Sequence, residues 1–96
     1  MFKIKKKIKL TYDERRIILY SLNDFRTKIL KEGKCVDVIN EAMCEVKPKM
    51  KAKKDIIGVI VNALINMKEE ADAENLDTAV IKDLILKLYE EYKTLK

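Results

Sequence analysis

Gly33, Pro48 and Gly58 are the chain's only glycines and its only proline. Turns draw heavily on those two residue types, so a chain so poor in them has few turns to place. A handful of long helices satisfies that limit, and many short strands do not. The expected fold is mainly α: a compact four-helix bundle with a basic extended N-terminal arm. Its 96 residues make a single helical domain. The parts expected are a basic arm over 1–10, a helical hairpin over 11–46, and a basic linker with a second helical pair over 47–96.

Phe2, Ile4, Lys6, Ile8 and Leu10 alternate with lysines, a period of two that predicts an extended segment, either a strand or a docked arm. A lone strand needs a partner, so disorder is the alternative for the first residues. Thr11-Tyr12-Asp13-Glu14 reads as a capping box opening a helix over 12–31. Ile18, Leu22, Phe25 and Ile29 form its core stripe, and Gly33 supplies a left-handed terminus. A second helix over 36–46 carries Cys35, Ile39, Ala42, Met43 and Val46 on one stripe. Pro48 ends it, leaving 49–54 as a loop or a solvated helical turn.

The third helix, over 55–70, is apolar nearly all round, with Asp55, Asn62, Asn66 and Glu69 as a narrow polar stripe. Such a helix belongs at the centre of a bundle or in a subunit interface, and its surplus favours a homodimer through 55–70. Gly58 within it predicts a close helix approach. Leu76 and Ile81 bracket Asp77 as a hydrophobic staple, opening a fourth helix over 78–95 with Ile81, Leu84, Ile85, Leu88 and Tyr92 inward.

Neither a signal peptide nor a membrane span is expected, because the longest uncharged stretch, 56–67, is too short to cross a bilayer as a helix. The expected protein is soluble and cytoplasmic, with no membrane partner. Cys35 and Cys44 stand nine apart. That spacing puts them on opposite sides of any shared helix, about 13 Å apart along its axis and beyond disulfide reach. Both are expected to be reduced, Cys35 in the core and Cys44 peripheral.

Charge is divided unevenly. Residues 1–54 hold sixteen basic and seven acidic side chains, a balance of +9, and residues 55–96 hold five and nine, a balance of −4. The excess lies in two clusters: Lys3, Lys5, Lys6, Lys7 and Lys9, then Lys47, Lys49, Lys51, Lys53 and Lys54. Lysines on an extended arm suit a phosphate backbone. They also serve to protect a strand edge from pairing, or to meet an acidic protein face. Along the first helix Tyr12, Arg16, Tyr20, Asp24 and Lys28 recur every fourth residue as one ridge. Tyrosine and arginine are favoured in binding hot spots and in base stacking. The simpler reading lays the N-terminal arm over the tyrosines and pairs Asp24 with Lys28.

No catalytic constellation is visible. The chain has no histidine, which removes a His-based general base or triad and leaves too few soft ligands for zinc. There is no glycine-rich phosphate loop, and the acids of 69–77 lack the pattern of a calcium loop. The expectation is a non-enzymatic protein without metal or cofactor.

Leu10-Thr11-Tyr12-Asp13-Glu14-Arg15-Arg16, then Leu22-Asn23-Asp24-Phe25-Arg26-Thr27-Lys28 and Glu32-Gly33-Lys34, resemble the opening of small uncharacterised helical proteins of Gram-positive phages, prophages and mobile elements. The resemblance covers residues 10–46, with Asp13 where glutamate is more usual. It implies a protein of a bacterial host's cytoplasm. Such proteins act by stoichiometric binding to a host protein or nucleoprotein complex, including defence systems (an anti-CRISPR-like inhibitor), or by regulating transcription. A basic strand followed by two helices is also similar in order to ribbon-helix-helix DNA-binding proteins. The function expected is therefore binding and modulation of a host nucleoprotein or defence complex, through the lysine clusters with Tyr12, Arg16 and Tyr20. The alternatives are a dimeric nucleic-acid-binding transcriptional regulator and a structural or oligomerisation module.

Overall fold

The structure, a computed structural model, describes residues 7–95. Four helices dominate these residues, joined by one small sheet: β1 (Lys7–Lys9), α1 (Tyr12–Lys31), α2 (Asp37–Glu45), β2 (Lys49–Lys51), α3 (Lys54–Ala73) and α4 (Ala79–Thr94). Residues 1–6 of the expected arm, with Lys3, Lys5 and Lys6, lie outside the described residues.

Helix α1 begins at the expected capping box. The Thr11 amide donates to Glu14 Oε1 at 2.8 Å, and the Glu14 amide donates to Thr11 Oγ1 at 3.1 Å. At the other end Gly33 sits at φ +75°. There the Gly33 and Lys34 amides reach back to the carbonyls of Leu30 and Ile29, closing the helix with a Schellman motif. The same device ends α3. Asn75 takes the left-handed position at φ +59°, and the Asn75 and Leu76 amides donate to the carbonyls of Asp72 and Ala71. Asparagine tolerates that conformation better than most residues. The helix therefore runs to Ala73, three residues past the expected end at 70.

Helix α3 is the hub, with α1, α2 and α4 all packed on it. Its Ile56, Ile57, Ile60, Val61, Ala63 and Leu64 are buried within the one chain, joined by Ile18 and Leu22 of α1, Ile39 and Ala42 of α2, and Leu84 and Leu88 of α4. Three neighbouring helices thus cover the apolar side chains of 55–70 named here. Of its large apolar side chains, Ile65 is left exposed. Ser21 is buried as well, with its hydroxyl donating to the Ile18 carbonyl at 2.8 Å, so the polar atom is satisfied.

Several local expectations are corrected. Cys35 is exposed, like Cys44, because α2 starts at Asp37 and Val36 takes the buried place at its entry. A β-carbon on Gly58 would stand 3.6 Å from the Tyr92 ring, an ordinary contact, so no tight helix approach forces glycine there. Leu76 is exposed rather than buried in a staple, and the N-cap of α4 is Thr78 in place of the expected Asp77, whose Oδ1 accepts from the Ala79 amide at 3.0 Å. Lys28 turns to α3, donating to Asn66 Oδ1 at 3.1 Å and pairing with Glu70 at 2.9 Å, in place of the expected pair with Asp24. The segment expected as a linker, loop or helical turn contains strand β2, the change that matters most for function.

Candidate functional site

Strands β1 and β2 pair antiparallel in the register Lys7↔Lys51, Ile8↔Met50, Lys9↔Lys49. Successive side chains in a strand point to opposite faces, so Ile8 and Met50 go inward together and all four lysines go outward together. Ile8 and Met50 are buried, as is Leu10, whose amide donates to the Pro48 carbonyl at 2.9 Å. That bond extends the pairing by one step and makes Leu10 and Pro48 a hydrogen-bonded pair. By alternation, the two lysine pairs are non-hydrogen-bonded positions, where opposed side chains stand closest. The strands therefore bring Lys7 and Lys9 of the first cluster and Lys49 and Lys51 of the second onto one face.

This arrangement costs stability by itself, because like charges directly opposite on an antiparallel pair repel. Nothing on the described surface neutralises them: Lys7, Lys9, Lys47, Lys49 and Lys51 take part in none of its ion pairs. Lys53 and Lys54 are used elsewhere. The first lies 3.6 Å from Glu45, and the second begins α3 with its ammonium 5.2 Å from the Tyr92 ring centre.

Lys87 of α4 fastens the ribbon to the helices. Its ammonium donates to the Lys9 carbonyl at 2.8 Å and to Glu14 Oε1 and Oε2 at 2.9 and 3.1 Å. The outward-facing Lys9 carbonyl is the group that a non-hydrogen-bonded pair leaves free. At Glu14, burial favours the neutral acid, but the Thr11 amide and the Lys87 ammonium outweigh it and hold the carboxyl below its ordinary value. This carboxylate therefore serves the fold.

The first turn of α1 continues the basic surface. Because Leu10 pairs with Pro48, Lys47 arrives beside the start of this helix. Arg15 donates to the Leu10 carbonyl at 2.8 Å, and the Arg15 and Arg16 guanidinium carbons each lie 5.8 Å from the Tyr12 ring centre. Tyr12 and Tyr20 are 66% and 69% exposed, so no described residue covers them; residues 1–6 of the arm expected over this ridge lie outside the described residues. Arg16 and Tyr20 border an open groove of about 840 Å³ formed by α1, α3 and α4, with Ile17, Leu19, Met67 and Val80 as its apolar lining and Asp13 beside them.

A second cluster lies on the far half of α1. Asp24 faces Glu70, whose nearby carboxylate pushes the Asp24 carboxyl up, and Lys28 holds Glu70 below its ordinary value. This cluster ties α1 to α3. Among the described residues no group of three or more His, Cys, Asp or Glu side chains could hold a metal, and no helix is long and apolar enough to cross a membrane.

Sequence reasoning named Lys7, Lys9, Lys47, Lys49 and Lys51 but did not join them, and it passed over Met50 and Arg15. The signal for β2 was present: Lys47, Lys49, Lys51 and Lys53 alternate with Pro48, Met50 and Ala52, the same period of two read in the arm. No family model, curated protein or solved structure matches this chain.

Proposed function

We propose that this chain is a small non-enzymatic binding protein whose lysine ribbon holds the phosphate backbone of a nucleic acid. In this reading the four helices form a compact bundle that carries the basic arm. The observation behind it is the register that sets Lys7 against Lys51 and Lys9 against Lys49 on one exposed face. Repulsion that the fold itself leaves in place is relieved when a polyanion docks, and each lysine that neutralises a phosphate releases a counterion. The resemblance over residues 10–46 sets this activity in a mobile-element protein of a bacterial cytoplasm, directed at a host nucleoprotein or defence complex in the manner of an anti-CRISPR inhibitor. Transcriptional regulation by the same ribbon is the alternative within this class.

Gel shifts at low salt, with unrelated duplexes and single strands, test the reading. Binding should be insensitive to sequence and should weaken steeply with salt. Replacing Lys7, Lys9, Lys49 and Lys51 by glutamine should flatten the log–log salt slope on a duplex by about 3–4. An absence of retardation at micromolar protein would overturn it.

A second reading rests on the groove formed by α1, α3 and α4, whose apolar lining suits a protein partner better than a phosphate chain. Binding there would be specific to one partner, weakly salt-dependent, and sensitive to Arg16→Ala or Tyr20→Ala. Co-purification that survives high salt but is lost in those variants would support it over the ribbon.

A further inference from the structure

We infer that the nucleic acid held by the ribbon is single-stranded, and that Tyr12 is a stacking platform for one of its unpaired bases. This rests on the ribbon reading and names its substrate class.

A two-stranded ribbon reads duplex DNA by entering the major groove, which requires it to stand clear of its own protein. This ribbon does not. Ile8, Leu10 and Met50 are sealed into the core, and Lys87 clamps the Lys9 carbonyl to the helices. What remains for a ligand is an exposed face of lysines able to follow a backbone. Base contact must come from beside the ribbon, and the groups suited to it stand at the start of α1.

Tyr12 follows Leu10 by two residues, and Arg15 joins them by bonding to the Leu10 carbonyl while lying over the Tyr12 ring. Arg16 lies over the same ring. A strand crossing Lys7/Lys51 and Lys9/Lys49 toward Lys47 is thus led to an exposed aromatic ring with two guanidinium carbons each 5.8 Å from its centre. A positive track ending in an aromatic ring is the combination that binds single strands, since every unpaired base has a π-face and a paired one does not offer it. Tyr20, two turns further along and equally open, extends the path past Arg16. Asp13 is the carboxylate bordering this path, and Lys47, Arg15, Arg16 and the four ribbon lysines outweigh it.

The test compares oligothymidine with a duplex of equal length in the same buffer, by anisotropy of a labelled strand and by intrinsic emission. The chain has four tyrosines and no tryptophan, so stacking on Tyr12 should quench the emission itself. The single strand should bind about tenfold tighter than the duplex, and Tyr12→Ala should weaken single-strand binding by about five- to a hundredfold. Duplex affinity should stay within about twofold, because phosphate contacts do not use the ring. Tyr12→Phe should restore single-strand binding, and the unchanged duplex affinity doubles as the check on folding. Equal affinity for both forms with Tyr12→Ala inert would overturn the stacking inference and leave the ribbon reading standing. Failure of both ligands to bind at low salt would overturn both.

Discussion

Helix α3 and the lysine ribbon carry the two most extreme patterns in this chain, and the fold treats them in opposite ways. The apolar excess of α3 is absorbed on three sides by α1, α2 and α4. The positive excess of the ribbon meets no counter-charge on the described surface, whereas acids near the far end of α3 do find partners. Glu70 has Lys28 and Asn66, Asp72 has Lys68 and Thr78, and Asp77 has the Ala79 amide. Lys68 and Thr78 hold the Asp72 carboxyl below its ordinary value, the lysine bond foremost. A pattern satisfied inside the molecule is explained by stability alone. The ribbon is not, since the repulsion it keeps is a cost that glutamine or threonine at the same positions would avoid.

The largest expected effect tests whether both regions share one core. Ile60 in α3 and Met50 in β2 are both fully buried. Truncating either to alanine should cost about 2–5 kcal/mol, from lost burial and the cavity left behind, as read from denaturant midpoints. If Ile60→Ala shows that loss and Met50→Ala costs under about 0.5 kcal/mol, the ribbon is a loose appendage and the comparison breaks.

A smaller effect of opposite sign concerns α3 by itself. Gly58 has a helical environment with room for a methyl group, the nearest atom being the Tyr92 ring carbon at 3.6 Å. Gly58→Ala should therefore stabilise the protein by about 0.5–1 kcal/mol, the usual helix preference for alanine. A loss of stability would mean that α3 and α4 approach more tightly there than the ring contact shows.

The helices were legible because their signals are local. Thr11 and Glu14 cap across a single turn, Gly33 terminates by its own backbone freedom, and the stripe through Ile18 and Leu22 needs only the helical period. The ribbon was not, because its meaning depends on a pairing between residues forty or more positions apart. Each lysine cluster alone is compatible with solvation. The burial of Met50 between two lysines can be inferred only once Ile8 is known to face it. Cys35 was misplaced for a related reason, since the stripe of α2 fixes the helical face but not the residue at which the helix begins. Tyr12 and Tyr20 were legible as a ridge, but their exposure depends on where the preceding strand goes, and it goes to β2.

The smallest expected effect is also the one that most sharpens the comparison. Lys9 and Lys49 stand opposite each other at the close-approach positions of an antiparallel pair. Replacing both with threonine removes the repulsion and substitutes side chains suited to strands, so stability should rise by about 0.2–1 kcal/mol. Added salt should stabilise the native protein by screening the same repulsion, and the gain should shrink in the double variant. Nucleic-acid affinity at low salt should fall in that variant while its melting temperature rises. Those opposite changes, measured on one protein by thermal melts and by anisotropy, would distinguish a ribbon retained for binding from one retained for stability. If the double variant is less stable and binds as well as before, the lysines belong to the fold, and the ribbon would differ from α3 only in the means by which it is held.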